Sequence, residues 1–99
     1  MKILFDEQDL IDSVCVLTAM RHNRPVESLQ AELFYEEQKG FSALVTAQNG
    51  LYRYDLTEQD LIDSVAVYLS EYHQFDPQKL TVELLFEENN GFSAYVNRM

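Results

Sequence analysis

The residues with the widest chemical reach in this 99-residue chain come in pairs. His22 and His73 are its two histidines, set at the same point of two similar stretches. Such a pair offers a shared metal or a group titrating near neutrality. Two imidazoles leave a zinc site short of ligands, however, and an imidazole at a helix C-terminus is accounted for by the last carbonyls and the negative dipole end. The acidic doublets Glu36-Glu37 and Glu87-Glu88 suggest a shared proton or a hard cation. Neighbours on a strand point to opposite faces, so neither doublet converges on one point, and they read as solvated turn residues.

Ser13, Ser42, Ser64 and Ser93 recur as well, without the Gly-x-Ser-x-Gly elbow of a nucleophile. Cys15, the single cysteine, falls on an apolar helical arc and reads as a small hydrophobe; alone it forms neither an intrachain disulfide nor a cysteine zinc site. No phosphate-binding loop or dinucleotide fingerprint occurs around the three glycines. The expectation is a protein that is not an enzyme and has no metal and no cofactor.

The elements that position these residues follow from an internal repeat. Sliding the chain by 51 residues aligns Glu7 to Gln48 on Glu58 to Met99 without a gap, with 20 of 42 pairs identical. Two copies of one unit usually pack around a pseudo-twofold axis, whereas solenoids need three or more. The length suits one core, so residues 1–99 are expected to form a single domain built of repeats 1–50 and 51–99.

Each repeat opens with a helix. Asp6 and Thr57 are the expected N-caps, with Asp9 and Asp60 in the capping-box position and Phe5/Leu10 and Leu56/Leu61 as hydrophobic staples. The core arcs are Leu10, Ile11, Val14, Cys15, Leu17 and Thr18 in one, and Leu61, Ile62, Val65, Ala66, Tyr68 and Leu69 in the other. The helices should end near His22 and His73, ahead of Pro25 and Pro77. Thereafter the period becomes two: Leu29, Ala31, Leu33 and Tyr35 alternate with Gln30, Glu32 and Phe34, as Leu80, Val82, Leu84 and Phe86 do with Thr81, Glu83 and Leu85. Gly40 and Gly91 supply the left-handed residue of a hairpin turn, Asn49-Gly50 marks another turn, and Leu51 to Asp55 matches Met1 to Phe5 as a short strand. The prediction is an α+β fold: a tandem duplicated β-α-β-β unit with pseudo-twofold symmetry, in a mainly antiparallel sheet with both helices on one face.

The order Glu-Gln-Asp-Leu-Ile at the helix start, Glu-Leu-Phe-Tyr-Glu-Glu on the strand, then Gly-Phe-Ser-Ala, resembles the small YxcD-like family of uncharacterised proteins from spore-forming Gram-positive bacteria. The resemblance covers Glu7 to Val45, and Glu58 to Val96 carries the motif again. It implies a cytoplasmic bacterial protein and supplies no catalytic or binding residues.

The strands carry the clearest functional signal. If Leu33, Tyr35, Ala43 and Val45 face the helices, then Phe34 and Leu44 face away, and Leu85 and Tyr95 do so in the second repeat. Glu32, Glu36, Glu83 and Glu87 share that face as an acidic rim. Contiguous apolar patches of this kind mark interaction sites. The expected function is therefore a non-enzymatic protein-interaction or self-assembly module, working as a homodimer or with a protein partner through this face. The alternative is a small metal- or ligand-binding sensor or enzyme using the duplicated His and Glu residues. A net charge of -10 repels phosphate backbones and anionic lipid, so neither nucleic acid nor a membrane is an expected partner. The N-terminus lacks a basic segment leading into an apolar stretch, and no uncharged run approaches the length of a membrane span, so a cytoplasmic location is expected.

Overall fold

A computed structural model describes residues 2–98. Helix α1 (Glu7–His22) starts at a reciprocal capping box: the Asp6 carboxylate accepts from the Asp9 amide at 2.8 Å, and the Asp9 carboxylate accepts from the Asp6 amide at 3.0 Å. Helix α2 (Glu58–His73) repeats the box with Thr57 and Asp60, at 3.2 and 2.9 Å. Both helices end at the expected histidines, where Asn23 (φ 52°) and Gln74 (φ 59°) turn left-handed. Short 3₁₀ turns over Val26–Ser28 and Pro77–Lys79 then lead into the strands.

Strand β1 (Lys2–Phe5) is the expected Met1 to Phe5 strand, with Met1 outside the described residues. The others are β2 (Leu29–Glu36), β3 (Gly40–Ala47), β4 (Tyr52–Leu56), β5 (Leu80–Glu87) and β6 (Gly91–Arg98). Gly40 and Gly91 hold φ of 79° and 76°, the left-handed backbone that each hairpin was expected to need. All pairings are antiparallel.

The antiparallel layer is present as two three-stranded sheets rather than one, in the orders β1-β6-β5 and β2-β3-β4. The first strand of each repeat has crossed to the other: β1 pairs with β6, Phe5 opposite Ala94, while β4 pairs with β3, Leu56 opposite Ala43. A continuous sheet would need a ladder between β2 and β5, and that junction is made by rings instead. Tyr35 stacks on its repeat equivalent Phe86 with centroids 5.3 Å apart, and Phe41 and Phe92 meet edge-on at 6.3 Å. Side-chain contact has replaced hydrogen bonding at the pseudo-twofold axis.

The inward faces of both sheets meet the helices, and the shortest extent of the molecule, 19 Å, holds one helix layer on one strand layer. The buried side chains form two clusters. One gathers Val14, Cys15, Leu29, Val45, Leu56 and Leu61; the other gathers Phe5, Leu10, Val65, Leu69, Ala94 and Val96. Each draws on both repeats, and Leu33 and Leu84 pack against both, so the expected single core is a two-lobed one joined at the axis. Helix α1 departs from its expected arc. Every residue from Ser13 to Thr18 is buried, Val16 included, because the helix is covered on more than its sheet-facing side.

Candidate functional site

The duplicated polar residues are dispersed. Arg21 Nη1 and Asp60 Oδ1 lie 2.9 Å apart, so the end of α1 sits beside the start of α2 and the helices run antiparallel. His22 is thus separated from His73 by most of a helix, roughly 20 Å at 1.5 Å per residue. His22 stacks on Tyr54 at 4.0 Å, and Arg24 Nε donates to the Tyr54 hydroxyl at 2.6 Å while its guanidinium covers Tyr52 at 3.9 Å. No group of three or more His, Cys, Asp or Glu positioned for a metal occurs among the described residues.

The serines and the cysteine have structural occupations. Ser13 Oγ donates to the Asp9 carbonyl at 2.7 Å, and Ser64 Oγ to the Leu61 carbonyl at 2.7 Å, so both buried hydroxyls are satisfied by their own helix. Burial, helped by nearby Asp12, pushes the Cys15 thiol up to about 11, which keeps it protonated near neutrality. Glu36 pairs loosely with Lys39 at 3.7 Å, and Glu87 accepts from the Asn90 side chain at 2.8 Å; both are exposed beside their turns.

The strand registers put Phe34 opposite Ser42 and Glu32 opposite Leu44, so Phe34 and Leu44 are diagonal neighbours on one face. Leu85 opposite Ser93 and Glu83 opposite Tyr95 repeat this on the other sheet. Phe34 is 39% exposed; Leu44, Leu85 and Tyr95 are half-buried. The structure therefore delivers these four as two pairs on two sheets. Phe34 and Leu85 each lie one residue from the Tyr35–Phe86 stack, which brings the pairs toward one another at the axis. Sequence reading missed Leu4, which lies opposite Tyr95 and is 59% exposed. It became visible only once β1 was seen to join the second repeat's sheet.

Charge on this face includes Asp55 on β4, opposite Leu44 and exposed. Glu32 and Glu36 line the β2 edge and Glu83 and Glu87 the β5 edge, while Arg53 on β4 and Lys2 on β1 mark the opposite edges. Lys2 Nζ lies 4.3 Å from the Tyr95 ring centroid.

Sequence reading also missed a groove of about 430 Å³ along α1, lined by Gln8, Asp12, Cys15, Glu27, Tyr68 and Tyr72 among others. A second hollow of about 250 Å³ shares Val16, Val26 and Tyr72 with it and adds Met20 and Glu71. Tyr68 and Tyr72 rings sit 4.9 Å apart. Burial, and then Asp12 and Asp9, hold the Tyr68 phenol above its usual range. No periodicity announced the groove, because it combines residues from the two repeats.

No helix of the described residues is long and apolar enough to cross a membrane. No solved structure matches the chain. It is 34% identical over 97 residues to Uncharacterized protein YxcD of Bacillus subtilis (strain 168), an alignment that covers 97% of this chain and 93% of that protein. The family described as Protein of unknown function (DUF2653) matches residues 1–54 and again residues 51–99. The two matches overlap over residues 51–54 at the start of β4, where the second copy of the fold's unit begins, and the chain belongs to that family.

Proposed function

We propose that the chain is a non-enzymatic self-association module that pairs with a second copy of itself through the outward face of its two sheets. One observation carries the reading. At both outward positions, Phe34/Leu85 and Leu44/Tyr95, the two repeats keep large apolar side chains although the residue types differ. On the hairpin strands the surrounding outward positions Gln30/Thr81, Glu32/Glu83, Ser42/Ser93 and Thr46/Asn97 are polar, and on β1 and β4 the outward pair is Leu4/Asp55.

An internal twofold offers two equivalent patches, and a second copy stacked on the same axis covers both at once, as isologous contacts require. A cytoplasmic location is part of this proposal.

Sedimentation velocity of the wild type and of the Phe34→Ser/Leu85→Ser variant tests it. The wild type is expected to form a dimer whose fraction rises with concentration, and the variant to stay monomeric with an unchanged circular dichroism spectrum. A wild type that remains monomeric at high concentration, or a variant that dimerises equally well, overturns the proposal.

A further inference from the structure

We propose that the groove along α1 is a binding site for an aliphatic di- or polyamine, an elongated cation whose ammonium groups are separated by methylene chains. The groove supplies both halves of that chemistry. Asp12 and Glu27 line the groove and Glu71 borders the adjoining hollow, while no Lys, Arg or His lines either. Val16 and Val26 are common to the groove and the hollow, and with Cys15 they give an apolar lining suited to methylenes. The rings of Tyr68 and Tyr72 complete the wall, and phenol faces attract ammonium groups. A volume of about 430 Å³ falls in the range of small-molecule sites.

The duplication provides an internal comparison. At the positions related by the 51-residue shift, Tyr68 is replaced by Leu17, Tyr72 by Arg21, Glu27 by Gln78 and Glu71 by Met20. The twin surface thus keeps one carboxylate, Asp63, loses both phenols and gains a cation. General acidity of the chain does not distinguish the two sides; these substitutions do. The carboxylates near Tyr68 already act on it as a negative field, which an incoming ammonium would neutralise.

The experiment is a titration of the full chain with spermidine in about 0.15 M salt, followed by amide and tyrosine-ring NMR shifts. Saturable one-site binding is expected, with shifts confined to residues 8–16 of α1, the Val26–Ser28 turn, the start of β2 and Tyr68 and Tyr72. Asp12→Asn/Glu27→Gln should weaken it by about tenfold or more. Asp63→Asn/Glu88→Gln, which removes equal charge elsewhere, should leave it unchanged. Asp12 and Glu27 are exposed, so the first variant keeps the fold. Shifts that never saturate, an equal loss in both variants, or equal binding of magnesium at the same residues would each overturn the proposal by showing only screening of net charge.

Discussion

The carboxylate of Glu58, the first residue of α2, accepts a hydrogen bond at 3.0 Å from the backbone amide of Phe41, at the start of β3 in the other repeat. Its counterpart Glu7 accepts from Phe92 at 3.1 Å. Each helix start therefore clasps the hairpin that the strand before it has joined, β4 leading Glu58 to β3 and β1 leading Glu7 to β6. Removing one carboxylate leaves a strand amide without its acceptor, so Glu7→Ala and Glu58→Ala should each cost about 1 kcal/mol in urea unfolding. Glu→Gln, which keeps an oxygen acceptor, should cost less. Equal stability of all four variants and the wild type would show that the clasp contributes nothing.

The glycines beside the clasp should be ranked by it. Gly40, Gly50 and Gly91 all have positive φ, but a Cβ on Gly40 meets the Glu58 carboxylate and one on Gly91 meets that of Glu7, while nothing lies near Gly50. Gly50→Ala should cost about 1 kcal/mol from backbone strain alone. Gly40→Ala and Gly91→Ala should cost roughly 2 kcal/mol because they also displace the clasp. Thermal melts showing Gly50→Ala as the most damaging of the three would contradict this ranking.

Asp60 gives a pH dependence with a definite sign. The Thr57 backbone hydrogen bond, and then Arg21, hold its carboxyl below the usual 3.8. A depressed folded value means that the unfolded chain binds the proton more readily, so the contribution is present above about pH 4 and lost as the pH falls through the folded value. Asp60→Asn should destabilise the protein at neutral pH and converge on the wild type in acid. A stability difference that persists unchanged at pH 2 would contradict the assignment.

Cys15 acts at the alkaline end. Its thiol, raised from 9.0 to about 11, favours the folded state until the unfolded thiol ionises, so stability declines between these two values. Cys15→Ala, which installs the residue found at the equivalent Ala66, should flatten that decline. A disulfide reagent at pH 8 should label unfolded chain and spare folded chain. Rapid stoichiometric labelling of the folded protein would show that the thiol is accessible.

Much of this architecture was legible because it is local. Asp6 and Thr57 specify capping boxes, Gly40 and Gly91 specify left-handed turns, and period-two alternation separates Leu33 from Phe34. The crossing of β1 and β4 was not legible, since both repeats carry equivalent strands and pairing Phe5 with Ala94 or with Ala43 satisfies the same pattern. The identities that fix it, Glu7/Glu58 with Phe41/Phe92, were visible in the repeat alignment, but nothing in their spacing says that they touch. The groove was hidden for the same reason: Asp12 and Tyr68 come together through helix packing between repeats.

The central structural claim is that neither repeat is complete without the other, because each lends its first strand and receives one in return. The direct measurement is sedimentation equilibrium with circular dichroism on residues 1–50, alone and mixed with residues 51–99. A chain of this size alone has little core, and here Val45 would lose Leu56 and Leu61 from its cluster. The account predicts that residues 1–50 alone are unfolded or self-paired, and that mixing restores the native spectrum in a one-to-one complex. A folded, monomeric fragment of residues 1–50 would contradict it.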